Sequence, residues 1–134
     1  MGGKAKTAAE MVSAAKERID NLTVDQVAVE VRNGEAVLVD IRETEERIQN
    51  GAIPGAIHLP RGMLEFYADP TSPYHRSELA PDKRVILHCA AGGRSALAVR
   101  TLQEMGYSNI AHLGGGFGEW AAAGQPVEKE QLGM

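Results

Sequence analysis

The sequence has little of what several protein classes are built from. It holds one cysteine, Cys89, in 134 residues, so no internal disulfide can form and the fold must rest on a buried core. No apolar run approaches membrane-spanning length, which excludes a spanning helix. Positive charge is not in excess. Fourteen Lys and Arg are scattered among eighteen Asp and Glu, for a net charge of −4, which excludes the basic face that a duplex binder needs. The opening Met1-Gly2-Gly3-Lys4-Ala5-Lys6 precedes no secretory apolar region, and Lys6 stands where a myristoylation pattern requires Ser or Thr. A cytoplasmic protein with neither nucleic-acid nor membrane partner is the resulting expectation. Repeats and low-complexity stretches are lacking too.

What is present is ordinary globular composition, 43% hydrophobic and 24% charged, in a length that suits one domain. Residues from Thr7 to Asp20 read as a polar helix with Ala8, Met11, Ala15 and Ile19 on one face. Thr23 caps a second helix through Val31, and Asn33-Gly34 stops it. The β-branched run Ala36 to Asp40 reads as a buried parallel strand. Glu45 and Glu46 open a short helix ended by Asn50-Gly51, and Gly55 to Pro60 reads as a further short strand. The stretch from Arg61 to Asp82, with Pro70, Pro73 and Pro81, is irregular; Met63, Leu64, Phe66 and Tyr67 mark one or two helical turns in it. Arg84 to His88 is the clearest strand, Ser95 to Met105 a helix closed by Gly106, Asn109 to Leu113 another strand, and a last helix carries Trp120. Strands alternating with helices predict an α/β domain with a mostly parallel sheet, in which ligands sit beyond the carboxyl ends of the strands. Asp40 and Cys89 both fall at such ends.

The chemistry is concentrated in Leu87-His88-Cys89-Ala90-Ala91-Gly92-Gly93-Arg94-Ser95. A cysteine leaves a buried strand and enters a small-residue loop that opens a helix. Two glycines let the loop curl so that successive N–H groups face inward, a nest that favours an anion. Arg94 adds a permanent positive charge. Together they should lower the pKa of Cys89 and populate the nucleophilic thiolate, and hold an oxyanion or an outer sulfur without reorganisation. A lone cysteine is more often a small buried hydrophobe, but the strand–Cys–Gly-rich loop–Arg–helix order favours the reactive reading. His88, one residue earlier, should point to the opposite face as a satisfied core histidine.

Val39-Asp40-Ile41-Arg42-Glu43, Gly51-Ala52-Ile53-Pro54-Gly55-Ala56-Ile57, the loop from Cys89 to Ser95, and Leu113-Gly114-Gly115-Gly116 with Trp120 and Gly124-Gln125-Pro126 stand in this order. Together they resemble the rhodanese family, close to its small prokaryotic single-domain members. The resemblance implies a three-layer α/β fold with a five-stranded, mostly parallel sheet over residues 23–127. An extra N-terminal helical extension (1–22) and a flexible tail (128–134) flank it. It implies a sulfurtransferase in which Cys89 is the catalytic nucleophile and Ala90, Ala91, Gly92, Gly93, Arg94 and Ser95 form the substrate-binding loop. Sulfane sulfur would pass from thiosulfate or a related donor, through a Cys89 persulfide, to cyanide or a thiol. No metal or organic cofactor is implied.

Ala52 stands where many relatives carry His, and Ala90 and Ala91 where some thiosulfate-using relatives carry polar side chains. Arg61, His75 and Arg76 could approach the pocket mouth, although solvated surface is the simpler reading. Asp40 and Arg42 are expected to pair or cap backbone, and Trp120 to pack the last helix on the sheet. An alternative is a sulfur-relay or interaction module that hands its sulfur to a partner protein. A rhodanese-related phosphatase is less favoured, because those enzymes place Arg six positions after Cys to cradle phosphate, whereas Arg94 is five positions after Cys89.

Overall fold

The chain's computed structural model describes residues 5–129. Helix α1 (Ala8–Lys16) starts at Thr7, whose hydroxyl accepts from Glu10 N–H while the Glu10 carboxylate accepts from Thr7 N–H. Helix α2 (Val24–Arg32) repeats that device with Thr23 and Gln26, and Asn33-Gly34 ends it, as the sequence predicts. Helix α1 stops four residues earlier than its periodicity suggests, and Asp20–Leu22 forms a strand, β1. Strands β2 (Val37–Asp40), β3 (Ile57–His58), β4 (Val85–His88) and β5 (Ile110–Leu113) complete a five-stranded sheet in the order β1-β5-β4-β2-β3, every pairing parallel. Helices α3 (Thr44–Asn50), α4 (Leu64–Ala68, preceded by a 3-10 turn at Arg61–Met63), α5 (Gly93–Glu104) and α6 (Gly116–Ala122) connect them.

Strand residues alternate between two cores, because successive side chains leave opposite faces of a sheet. Val39, Val85, Leu87 and Ile110 pack with Leu64 and Ala68 of α4 and Ala98, Val99 and Leu102 of α5. Leu38, Ile86 and Leu113 pack with Val27 of α2 and Phe117 and Trp120 of α6. Trp120 thus fastens the last helix to the sheet, and its indole N–H donates to the Pro126 carbonyl at 2.8 Å. On α1, Ala15 is buried and Met11 lies half exposed, while Ile19, beyond the end of the helix, joins the first core. Val12 rather than Met11 approaches the start of α5, where a Cβ on Gly93 would touch it. Beyond Val127, Glu128 and Ala52 exchange two backbone hydrogen bonds of 2.8 Å; residues 130–134 of the expected tail lie outside the described residues.

Candidate active site

The site is built at the carboxyl end of β4. Val85, Leu87 and Cys89 share the α5 face by strand parity, so the cysteine emerges under the first turn of that helix, with its side chain almost wholly buried (1% exposed). The Gly92 and Ser95 N–H groups both donate to Cys89 Sγ, at 3.2 and 3.4 Å. The Ala91 N–H adds a third backbone interaction, and the Ser95 hydroxyl lies 3.4 Å from the sulfur. Burial opposes ionisation of the thiol, the backbone N–H groups of Ser95, Gly92 and Ala91 favour it, and the pKa lies below that of an ordinary cysteine. The sulfur is therefore sealed from bulk water yet ringed by amides, the inward-facing turn that the sequence predicts.

Gly92 makes this turn possible. Its φ of +101° is left-handed backbone, and a Cβ there would overlap the Gly114 carbonyl oxygen. Gly92→Ala is expected to lose about 1–3 kcal/mol from backbone strain alone. Urea unfolding should show that loss, and thiol alkylation against pH should show a midpoint returned toward about 8.5. A variant with unchanged stability and midpoint would remove Gly92 from this role. Helix α6 clamps the loop from the other side: Phe117 N–H donates to the Cys89 carbonyl at 2.8 Å, and Gly118 N–H to the Ala90 carbonyl at 3.0 Å.

Arg94 lies on the loop, but its guanidinium reaches outward. Two hydrogen bonds of 2.7 and 2.8 Å bind it to the Glu46 carboxylate on α3, whose pKa the guanidinium pulls down to about 2. The ring around the sulfur is thus made by amides, with Arg94 at its rim. Ala90 is half-buried, Ala91 exposed and Gly93 half-buried, so these three line the loop's outer edge. Arg61, His75 and Arg76 have other partners: Arg61 binds Glu65 and Thr101, His75 the Leu79 carbonyl, and Arg76 Glu78.

Beneath the loop, on the opposite face, Asp40 accepts from the Arg42 Nε and Nη2 at 3.0 and 2.9 Å, from Arg42 N–H at 3.0 Å and from Arg47 at 3.1 Å. Arg42 also donates to the Gly51 carbonyl and lies over the Phe117 ring. This is the structural pairing expected of Asp40 and Arg42. His88 is buried on that face; its Nδ1 lies 3.3 Å from the Cys89 carbonyl, and its Nε2 has no hydrogen-bond partner among the described residues, with Asp40 Oδ2 3.6 Å away. The satisfied core histidine predicted at this position is satisfied at one nitrogen only.

Sequence reading missed His112. It is buried on β5, with Nδ1 2.7 Å from Ser95 Oγ and Nε2 2.7 Å from Asn21 Oδ1 on β1. Its signal was a lone polar residue inside the apolar run Ile110-Ala111-His112-Leu113, since a buried imidazole needs partners.

A buried cysteine at the end of a parallel strand, ringed by the amides of a loop that opens a helix, defines a class of α/β domains with a sulfur- or anion-cradling turn. A family model described as the rhodanese-like domain matches residues 23–123, and the chain belongs to that family. It is 36% identical over 93 residues to a sulfurtransferase of Allochromatium vinosum, covering 69% of this chain and 78% of that one. A solved structure from Rhodopseudomonas palustris, described as of unknown function and a possible tyrosine phosphatase, is 40% identical. It superposes with a TM-score of 0.84 over 96% of this chain and 98% of that one. The thiosulfate sulfurtransferase of Pseudomonas aeruginosa is 31% identical, with a TM-score of 0.72 over 91% of this chain and 22% of that larger one.

Proposed function

We propose that this protein is a sulfurtransferase that carries sulfane sulfur on Cys89, with thiosulfate or a related anion as donor and cyanide or a cellular thiol as acceptor. The observation that supports it most is the convergence of loop N–H groups on Cys89 Sγ. In the first step the thiolate attacks the outer sulfur of the donor. A Cys89–sulfur bond forms, the donor's sulfur–sulfur bond breaks, and sulfite leaves with the electron pair. The terminal sulfur carries negative charge, which loop amides of Ala90 to Ser95 are suited to stabilise. In the second step the acceptor attacks that terminal sulfur and the Cys89 thiolate leaves. The persulfide is the only carrier the cycle needs. A protein acceptor would make the chain a sulfur relay by the same chemistry, in a cytoplasmic setting.

The test is thiocyanate production from thiosulfate and cyanide, run beside hydrolysis of p-nitrophenyl phosphate. Turnover of the first and not the second supports the reading; phosphate release without thiocyanate would replace it with the phosphatase. The Arg94–Glu46 pair gives a finer expectation. A carboxylate that holds the loop's arginine competes with an anionic donor for it. Glu46→Gln should therefore lower the KM for thiosulfate several-fold with little change in kcat. A raised KM would mean that Glu46 positions Arg94 for the donor instead.

A further inference from the structure

The contacts behind Cys89 have a direction. Asn21 Nδ2 donates to the Lys16 and Ile19 carbonyls at 2.8 and 3.2 Å, so Oδ1 is the atom that faces His112 Nε2. An oxygen can only accept, so Nε2 carries the hydrogen. Burial, with the Lys16 charge adding to it, pushes the His112 pKa down to about 4, and the ring is neutral at neutral pH. Nδ1 is then a bare acceptor, and the donor 2.7 Å away is the Ser95 hydroxyl. A hydroxyl has one hydrogen. Spent on Nδ1, it leaves only lone pairs facing Cys89 Sγ at 3.4 Å, and those accept from a thiol but repel a thiolate. The groups that face His112 are thus Asn21 from β1, Lys16 from the end of α1, Ser95 from α5 and, through Ser95, Cys89.

We propose that His112, fixed in its Nε2–H form by Asn21, is a positioning residue that turns the Ser95 hydroxyl away from Cys89 and so restrains ionisation of the thiol. The loop amides and this chain act in opposition: the amides favour the thiolate, the hydroxyl favours the thiol. A solvent proton taken up at His112 Nδ1 reverses the chain. Nδ1–H then donates to Ser95 Oγ, and the hydroxyl hydrogen is free to turn to the sulfur. The inference deepens the sulfur-carrier reading, because it names what sets the reactivity of that same thiol.

The test is the pH dependence of iodoacetamide alkylation of the unloaded protein. Ser95→Ala removes the opposing lone pair and keeps the residue's N–H, so the midpoint should fall by about half a pH unit, with threefold faster alkylation below it. A midpoint unchanged or raised overturns the proposal. Asn21→Asp places a carboxylate on Nε2, favours the imidazolium and should lower the midpoint by about one unit. Combining it with Ser95→Ala should abolish that increment; an increment that persists would overturn the role of Ser95. A residue that merely filled space would not lower the midpoint. Alkylation needs no sulfur donor, so failure here leaves the transferase reading intact, and a protein that takes up no sulfur leaves this inference intact.

Discussion

Cys89→Ser is expected to reduce thiosulfate-dependent thiocyanate formation to background, a loss on the order of 10⁴-fold or more, as when a covalent nucleophile is removed. The reasoning is chemical rather than steric. A serine oxygen fits the same cradle and can accept from the Gly92 and Ser95 N–H groups that bind Sγ, so fold and stability should hardly change. A hydroxyl remains protonated at neutral pH, however, and its oxygen cannot take up sulfane sulfur to form a persulfide. Circular dichroism and urea unfolding alongside the rate assay separate the two effects. A variant that keeps even a tenth of the activity would show that Cys89 is a packing residue and that the sulfur is carried elsewhere.

The second large effect concerns the layer beneath the loop. Asp40→Ala leaves the Arg42 guanidinium buried at 1% exposure, without the carboxylate that holds its Nε and Nη2 and also binds Arg47. Removing one partner of a buried pair costs about 3–5 kcal/mol, because the remaining charge stays desolvated. Against a total stability of about 5–15 kcal/mol, the domain should approach its unfolding threshold, with Tm lowered on the order of 10–20 °C. Burial raises the Asp40 pKa, but the Arg42 hydrogen bonds and the nearby positive groups lower it further, and the net shift is downward. A depressed carboxylate pKa contributes stability that is present above the unfolded value, near 3.9, and lost as pH falls through the folded one. Asp40→Ala should therefore flatten the acid limb of the stability profile as well as lower its plateau. A loss under about 1 kcal/mol, the worth of a surface pair, would mean that the cluster does not support the loop.

Much of this was legible in the sequence because the signals are local. Thr23 and Asn33-Gly34 bracket α2, and Asn50-Gly51 ends α3, since caps and left-handed glycines act within a few residues. The run from Val85 to His88 reads as a buried strand by composition, and the two glycines after Cys89 announce a curled turn. Strand β1 was not legible. Asp20-Asn21-Leu22 is short and polar, and it is a strand because β5 lies beside it in register, Asn21 opposite His112. Long-range partners were equally hidden. Arg94 meets Glu46 across 48 residues, and His112 meets Asn21 across 91. The charge of Arg94 could be read from the chain; the carboxylate that holds it at the rim could not.

The most direct test of the account is the intact mass of the protein after thiosulfate treatment and removal of excess donor. A gain of one sulfur atom is expected, carried on the peptide that contains Cys89, lost on adding cyanide and not seen with Cys89→Ser. No gain in the native protein, or a gain that survives in Cys89→Ser, would contradict it.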